Sequence, residues 1–353
     1  MLKSIPSYIV VEGPDGSGKD TIVKFLKENN DLNADFYREP DIENPIGKII
    51  RKDILSGDVY SDYQIQGLLF TSDRYLIQRT KMKESWERGR NIISNRSFVS
   101  TIAYQITEDL PFNRILIELQ SRVIAPDMIL FAAVDPETII ERKSRMNDRK
   151  EIFENKDFLR ELSLKYLISL YITKALFPST DIVYVDSRQS KEDMKEEALE
   201  KVSNFIGGEY QMFEDFTPWG WHTSEQFPSL HNARVEIKEK MKSGEEIEVK
   251  KIFYGGLKSA AMRKAIRDFI YNEDKLIGKA DVSTFGSKVR EGDGIAVHSV
   301  LDGFLHEYEK YEDVMGVRGE DVRRACENFF EKNKIHRINP AYPGNPYIFK
   351  EVL

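Results

Sequence analysis

Gly13, Gly18 and Lys19 stand at the spacing Gly-x4-Gly-Lys, between an apolar run at 8–11 and an amphipathic stretch at 19–28. A strand before and a helix after is the setting in which that spacing binds phosphate. Gly13, Gly16 and Gly18 let successive backbone N–H groups turn inward. The start of the helix adds partial positive charge, and the Lys19 ammonium reaches the phosphates. Asp15 and Ser17 complete the loop, so 13–19 is the expected cradle for a nucleoside polyphosphate. The pattern ordinarily continues with Ser or Thr, whose hydroxyl meets Mg²⁺. Here the next residue is Asp20, and Thr21 comes one place late. A carboxylate suits a hard cation, so Asp20 is the candidate metal ligand, the alternative being an altered magnesium site.

Such a loop needs a scaffold. Short apolar runs recur at 8–11, 34–37, 91–94, 127–134 and 181–185, with amphipathic stretches at 19–28, 46–55, 62–86, 98–106, 136–145 and 158–177 between them. Continuous apolar strands alternating with helices predict an α/β fold with a doubly wound parallel sheet. Ligands of such sheets sit at the carboxyl ends of the strands, where the remaining chemical candidates fall.

Those candidates are Arg38-Glu39-Pro40 after the second strand and Asn95-Arg96-Ser97 with Ser100, Tyr104 and Gln105 after the third. Phe70 and Arg74 lie between them, four apart and so on one helix face. An aromatic ring beside a guanidinium can stack a flat base and donate to its carbonyl. For that pair alone, Phe70 in the core and Arg74 in solvent is the plainer reading.

Taken together, Glu12-Gly-x-Asp15-Gly-x-Gly-Lys19, Arg38-Glu-Pro40, Leu68-Leu-Phe70-x3-Arg74 and Arg96-x3-Ser100-x2-Ala103-Tyr104-Gln105 resemble the thymidylate kinase family over residues 5–206. The resemblance implies a P-loop nucleoside monophosphate kinase moving the ATP γ-phosphoryl group, with Mg²⁺, to a pyrimidine deoxynucleoside monophosphate, usually dTMP. Carried across, Lys19 cradles ATP, Asp15 meets the acceptor's sugar hydroxyl, and Arg38 and Arg96 hold its phosphate. Phe70 stacks the base, Arg74 donates to it, and Tyr104 and Gln105 line sugar and base. Phosphoryl transfer is mostly positioning and charge neutralisation, and it independently asks for several cations around two phosphates. The basic stretch 142–150 resembles the family's lid, with Arg145 and Arg149 as its catalytic arginines and Arg142 as a further contact to ATP. As a solvated helix end it would merely complement the helix dipole. A homodimer is also implied.

Two positions depart from the family pattern. Asn95-Arg96-Ser97 stands where Asp-Arg-Tyr is usual, and Asp20 where Ser or Thr is usual. The first loses a carboxylate near the metal and acceptor phosphate; the second gains one. They read as a swap, in which Asp20 takes over the anchoring of hydrated Mg²⁺. Without the metal, a second anion near the β-phosphate would cost about 1–4 kcal/mol at ~4 Å. The alternative is a weak or repurposed kinase.

At 353 residues the chain predicts two domains, 1–208 and 209–353. A net charge of −7 advertises no global field for nucleic acid. One cysteine, Cys326, leaves no internal disulfide and fits a reducing compartment. The apolar run at 8–11 is too short for a signal peptide, and no stretch approaches a membrane span. A cytoplasmic setting is expected, host cytoplasm for a viral chain.

From about 205 the pattern changes, and the resemblance does not extend to the remaining residues. This second part reads as mainly helical at 230–242, 259–271, 297–311 and 319–333, then a Pro/Gly-tipped hairpin over 334–352. A helix leading into such a hairpin resembles the end of a winged-helix module, and Arg323, Arg324, Lys332, Lys334, Arg337 and Lys350 gather there. DNA contact is one reading, an oligomerisation or structural domain the other. This tail frames the functional alternatives. One is a phage-type kinase acting on 5-hydroxymethyluracil within DNA; another is a nucleotide-binding module without turnover.

Overall fold

The five apolar runs become five parallel strands. In the computed structural model β1 (Tyr8–Glu12), β2 (Ala34–Arg38), β3 (Asn91–Asn95), β4 (Met128–Ala133) and β5 (Asp181–Asp186) form one sheet in the order β2-β3-β1-β4-β5. Every neighbouring pair is parallel. The structure describes residues 7–55, 62–120, 123–145, 156–177, 180–207, 232–237, 239–240, 246–247, 280–285, 295–335 and 337–338.

Parallel pairing requires crossovers, and helices supply them. These are α1 (Lys19–Lys27), α2 (Pro45–Ile49), α3 (Tyr63–Ile77), α4 (Lys83–Glu87), α5 (Phe98–Gln105), α6 (Leu110–Gln120), α7 (Pro136–Arg145) and α8 (Lys156–Leu176), and α9 (Lys191–Gly207) follows the last strand. Alternation along β1 divides the core. Tyr8 and Val10 pack with Phe98, Ile102 and α8 on one face, and Ile9 and Val11 pack with Ile22, Leu26, Met194 and Ala198 on the other. The register sets Arg38 and Val11 both opposite Asn95, so Glu12, Arg38 and Asn95 share one edge of the sheet.

Several helical expectations change. The stretch 62–86 is two helices, because a wide π-helical turn at Gln78–Met82 separates α3 from α4. A second π turn, Ile50–Ile54, prolongs α2. Helices α6 and α9 have no counterpart among the expected stretches. The fully buried stripe of α9 is Met194, Ala198 and Val202, every fourth residue in a charged sequence.

Within the predicted helix at 230–242, the described residues 232–237 and 239–240 are strands instead. β6 (Asn232–Ile237) pairs antiparallel with β9 (Ala280–Phe285), and β7 (Glu239–Lys240) with β8 (Glu246–Ile247). Alternation of Ala233, Val235 and Ile237 has the period of a strand, and it outweighs the helix-forming Glu and Lys residues. The helix expected at 259–271 lies outside the described residues.

α10 (Val297–Tyr308) and α12 (Gly319–Lys332) agree with the last two expected helices, and a short α11 (Glu312–Met315) with no expected counterpart lies between them. The strand β11 (Arg337–Ile338) pairs with β10 (Ile295–Ala296), just ahead of α10, while 339–352 of the expected hairpin lies outside the described residues. α10 and α12 pack on α8. Tyr171 meets Phe304 at 5.6 Å and Phe330 at 5.3 Å, and Tyr184 stacks on Tyr311 at 4.5 Å. This explains why α8 is apolar nearly all round: it is enclosed by α5 on one side and these helices on the other.

Candidate active site

The loop between β1 and α1 takes the conformation its glycines permit. Gly13, Gly16 and Gly18 have φ of 145°, 89° and 98°. A Cβ on Gly13 would lie 2.7 Å from Ser17 Oγ, so a side chain there meets both strain and a clash. Lys19 is buried at 1% exposure, and its Nζ donates to Asp15 Oδ1 at 2.7 Å and Asp20 Oδ2 at 3.3 Å. Asp15 Oδ1 also accepts from Arg96 Nη2 at 2.5 Å. Burial alone would raise the Asp15 carboxyl, but the Arg96 and Lys19 charges outweigh it and hold the group well below the usual range. One carboxylate thus joins the two cations that would otherwise face each other. Thr21 lies in the first turn of α1, its N–H donating to Gly18 O at 2.9 Å.

Glu12 fixes the neighbouring turn. Its buried carboxylate accepts from Ser97 N at 2.6 Å, Ser97 Oγ at 2.8 Å, Ser100 N at 3.2 Å and Ser100 Oγ at 2.6 Å. Four donors on one buried carboxylate pin the β3–α5 turn to the end of β1. Arg96, inside that turn, has φ of 76°, a left-handed conformation that costs an arginine energy and that the Glu12 network imposes. Its Nη1 donates to Ser100 Oγ at 2.7 Å and Tyr166 Oη at 3.1 Å, and its guanidinium lies over the Tyr104 ring at 5.7 Å. Tyr166 Oη in turn donates to Gly13 O at 3.1 Å, tying α8 to the glycine loop.

One cleft gathers most of the predicted residues. Asp15, Arg38, Phe70, Arg74, Arg96, Ser100, Tyr104 and Gln105 line it, with Glu39, Pro40, Arg51 and Thr101. Burial lowers the affinity of the Arg51 guanidinium for its proton, and the charges of Arg38 and Arg96 lower it further, so three guanidiniums share one field. Such a trio has the charge and the donors to hold a phosphate dianion. Arg51 sits outside every matched motif; its spacing within an amphipathic stretch gives no sign of it.

The plain reading of Phe70 and Arg74 is inverted. Arg74 is buried at 1% exposure and Phe70 is half-buried at the cleft. Arg74 donates to Glu39 Oε2 at 2.6 Å, Thr101 Oγ1 at 2.8 Å and Gln120 Oε1 at 2.9 Å, which fixes its plane. Its Nε finds no partner among the described residues. Burial pushes the Glu39 carboxyl up to about 7 in spite of Arg74. Gln105 Nε2 reaches Gln66 Oε1 at 3.4 Å.

Asp20 and Asn95 meet between the loop and the arginines. Asn95 Nδ2 donates to Asp20 Oδ1 at 2.8 Å, and Arg38 Nη2 lies 3.8 Å from the same oxygen. Burial tends to raise the Asp20 carboxyl, but Lys19 and Asn95 lower it more. Asn95 Oδ1 is buried and has no partner among the described residues.

The lid candidates divide. Arg142 donates to Gly16 O and Ser17 O, both at 3.2 Å, and to Ser187 O, fastening α7 to the glycine loop. Arg145 faces solvent, paired with Glu141 four residues earlier, and is not among the cleft-lining residues. Arg149 lies outside the described residues.

Comparison with known proteins agrees with this geometry. Residues 11–198 match the family model described as thymidylate kinase. A probable thymidylate kinase of Methanocaldococcus jannaschii is 37% identical over 160 residues, 45% of this chain and 79% of that protein. A second, of Methanobrevibacter smithii, is 34% identical over 166 residues, with the same shares covered. The thymidylate kinase of Leptospira borgpetersenii is 29% identical over 199 residues, 55% of this chain and 92% of that protein.

Proposed function

The chain belongs to the thymidylate kinase family of nucleoside monophosphate kinases, and we propose that it transfers the ATP γ-phosphoryl group to a pyrimidine deoxynucleoside 5′-monophosphate, dTMP first. The observation that carries this reading is a single cleft lined by Arg38, Arg51, Arg96, Phe70 and Arg74, joined to the glycine loop through its lining residue Asp15, which accepts from Lys19.

In this reading Lys19 and the loop N–H groups hold the ATP phosphates. The acceptor phosphate takes the place of the carboxylate bonds now made by Arg96, and Asp15 turns to the sugar hydroxyl. Phe70 stacks the base. Arg74, immobilised by Glu39, Thr101 and Gln120, presents a fixed donor to the base carbonyl. Tyr104 and Gln105 line the sugar and base, and Ser100 steadies Arg96. In-line attack of the acceptor phosphate oxygen on the γ-phosphorus forms the new P–O bond as the bond to the β-phosphate oxygen breaks. The cations spread around the cleft offset the charge of that transition state. Arg145, exposed at the end of α7, would approach by closure of the lid, as arginines that seal a site commonly do, and Arg149 is assigned to the same lid.

The donor set suits Mg²⁺: the half-exposed carboxylate of Asp20 is a hard oxygen ligand beside the loop, and the carbonyl oxygen of Asn95, unpartnered among the described residues, is an acceptor for water the metal would retain. Bound there, the metal would neutralise charge on the donor phosphates.

We further propose a homodimer formed through the side of α3 on which Ile65 and Leu68, three apart, are exposed. We also propose a kinase part at 1–208, an added part at 209–353 and a cytoplasmic setting. Among the described residues no helix is long and apolar enough to cross a membrane. A DNA acceptor draws little support from α12, where Arg323 lies 3.9 Å from Glu327 and Arg324 2.5 Å from Asp321, leaving a mixed surface. The test is direct: the purified chain with ATP, Mg²⁺ and dTMP should release ADP and dTDP in equal amounts. ATP binding without product would leave only a nucleotide-binding module.

A further inference from the structure

We propose that Asp20 and Asn95 form a joint metal anchor in which the carboxylate sits on the helix and the neutral amide on the strand, the reverse of the arrangement usual in the family. The inference rests on the ATP-kinase reading, because it sets the metal where donor and acceptor phosphates meet.

The positions argue for it. Asp20 opens α1 directly after Lys19, whose Nζ lies 3.3 Å from Asp20 Oδ2, so this carboxylate borders the donor phosphates. Its other oxygen is 3.8 Å from Arg38 Nη2, on the acceptor side. Asp20 therefore touches a cation from each half of the reaction. Asn95 lies at the end of β3 and is 5% exposed.

The chemistry of the amide fixes its orientation. An ionised carboxylate only accepts, so the Asn95 nitrogen must face Asp20 Oδ1, as it does at 2.8 Å. That leaves Asn95 Oδ1 as the free end, buried and unpartnered among the described residues. Buried carbonyls are rarely left so; one beside a carboxylate at a phosphate loop is a ready acceptor for the water shell that Mg²⁺ retains.

The reversal also keeps the charge constant. A strand carboxylate with a helix hydroxyl, or a helix carboxylate with a strand amide, presents one negative charge to the metal. Asp20 and an aspartate at 95 together would set two anions within hydrogen-bond distance, which each would resist. The two departures are thus one change, and each residue makes sense only with the other.

The experiment is Mn²⁺ binding, monitored by electron paramagnetic resonance, with a non-hydrolysable ATP analogue present. It compares the native chain, Asp20→Ser, and the double variant Asp20→Ser/Asn95→Asp. Affinity for the analogue without metal is measured first, as a check on the loop itself. Asp20→Ser should weaken Mn²⁺ binding by about 10- to 100-fold, the scale of losing a metal-site group. The double variant should recover most of that loss, because it restores the usual placement of the carboxylate. Native-like Mn²⁺ affinity in Asp20→Ser, or a double variant no better than the single, overturns the assignment. Failure of the analogue to bind the native chain overturns the ATP reading and this assignment with it, a result distinct from the other two.

Discussion

Arg74 and Glu39 form a buried ion pair at 2.6 Å, at 1% and 3% exposure, in the wall of the cleft. The second oxygen of Glu39, Oε1, has no partner among the described residues, so the desolvation of this carboxylate is only partly offset. Its pKa, raised to about 7 from an ordinary 4.5, reports that burial outweighs the arginine.

The sign of that shift sets a pH dependence. Between about 4.5 and 7 the folded chain holds a proton at Glu39 that the unfolded chain has lost. Raising the pH through this window therefore costs stability, on the order of 3 kcal/mol in all, and above it the effect is flat. Urea unfolding of the native chain and Glu39→Gln should show their difference falling across that window. A difference that grows with pH would mean that the Arg74 charge dominates instead.

Lys19→Ala should lower kcat by about 10²- to 10³-fold, the scale of removing one preorganised charge-stabilising donor. Asp15 keeps Arg96 as a partner, so the fold should survive, and unchanged circular dichroism beside the lost turnover would establish that.

Phe70→Ala should raise KM for the acceptor by about tenfold or more, from a stacking contribution of about 1–3 kcal/mol per base. KM for ATP should stay as it was. Steady-state kinetics with each substrate varied in turn distinguish a base platform from a packing residue, which would shift both.

The kinase part is legible from little beyond local pattern. The apolar runs end within a residue or so of the observed strands, because a buried parallel strand is a continuous apolar run in any context. Gly13, Gly18 and Lys19 are legible for a similar reason, since their roles depend on backbone conformation and spacing alone. The parts played by Arg51, Glu12 and Tyr166 are not. They arise where separate elements converge: Glu12 on a turn 85 residues away, Tyr166 on a loop 153 residues away. The strand at 232–237 reads as helix because Glu and Lys favour helices locally, whereas pairing with 280–285 is a long-range choice.

The apolar excess of α8 carries a consequence for the added helices. Phe330→Ala removes a ring packed edge-on against Tyr171 in the shared core, at a cost of about 3–5 kcal/mol. If α10 and α12 fold as one unit with the sheet, thermal unfolding of this variant should remain a single transition at a lower Tm. Two separated transitions would show that they unfold independently.

The most direct measurement offers γ-labelled ATP and Mg²⁺ with dTMP, dUMP, 5-hydroxymethyl-dUMP, dCMP and duplex DNA containing thymine or 5-hydroxymethyluracil, side by side. Arg74 as a fixed donor to a base carbonyl, with Arg38, Arg51 and Arg96 around a free phosphate, predicts label on dTMP above dCMP and none on DNA. Label on DNA alone, or on no acceptor while ATP is still bound, would contradict it.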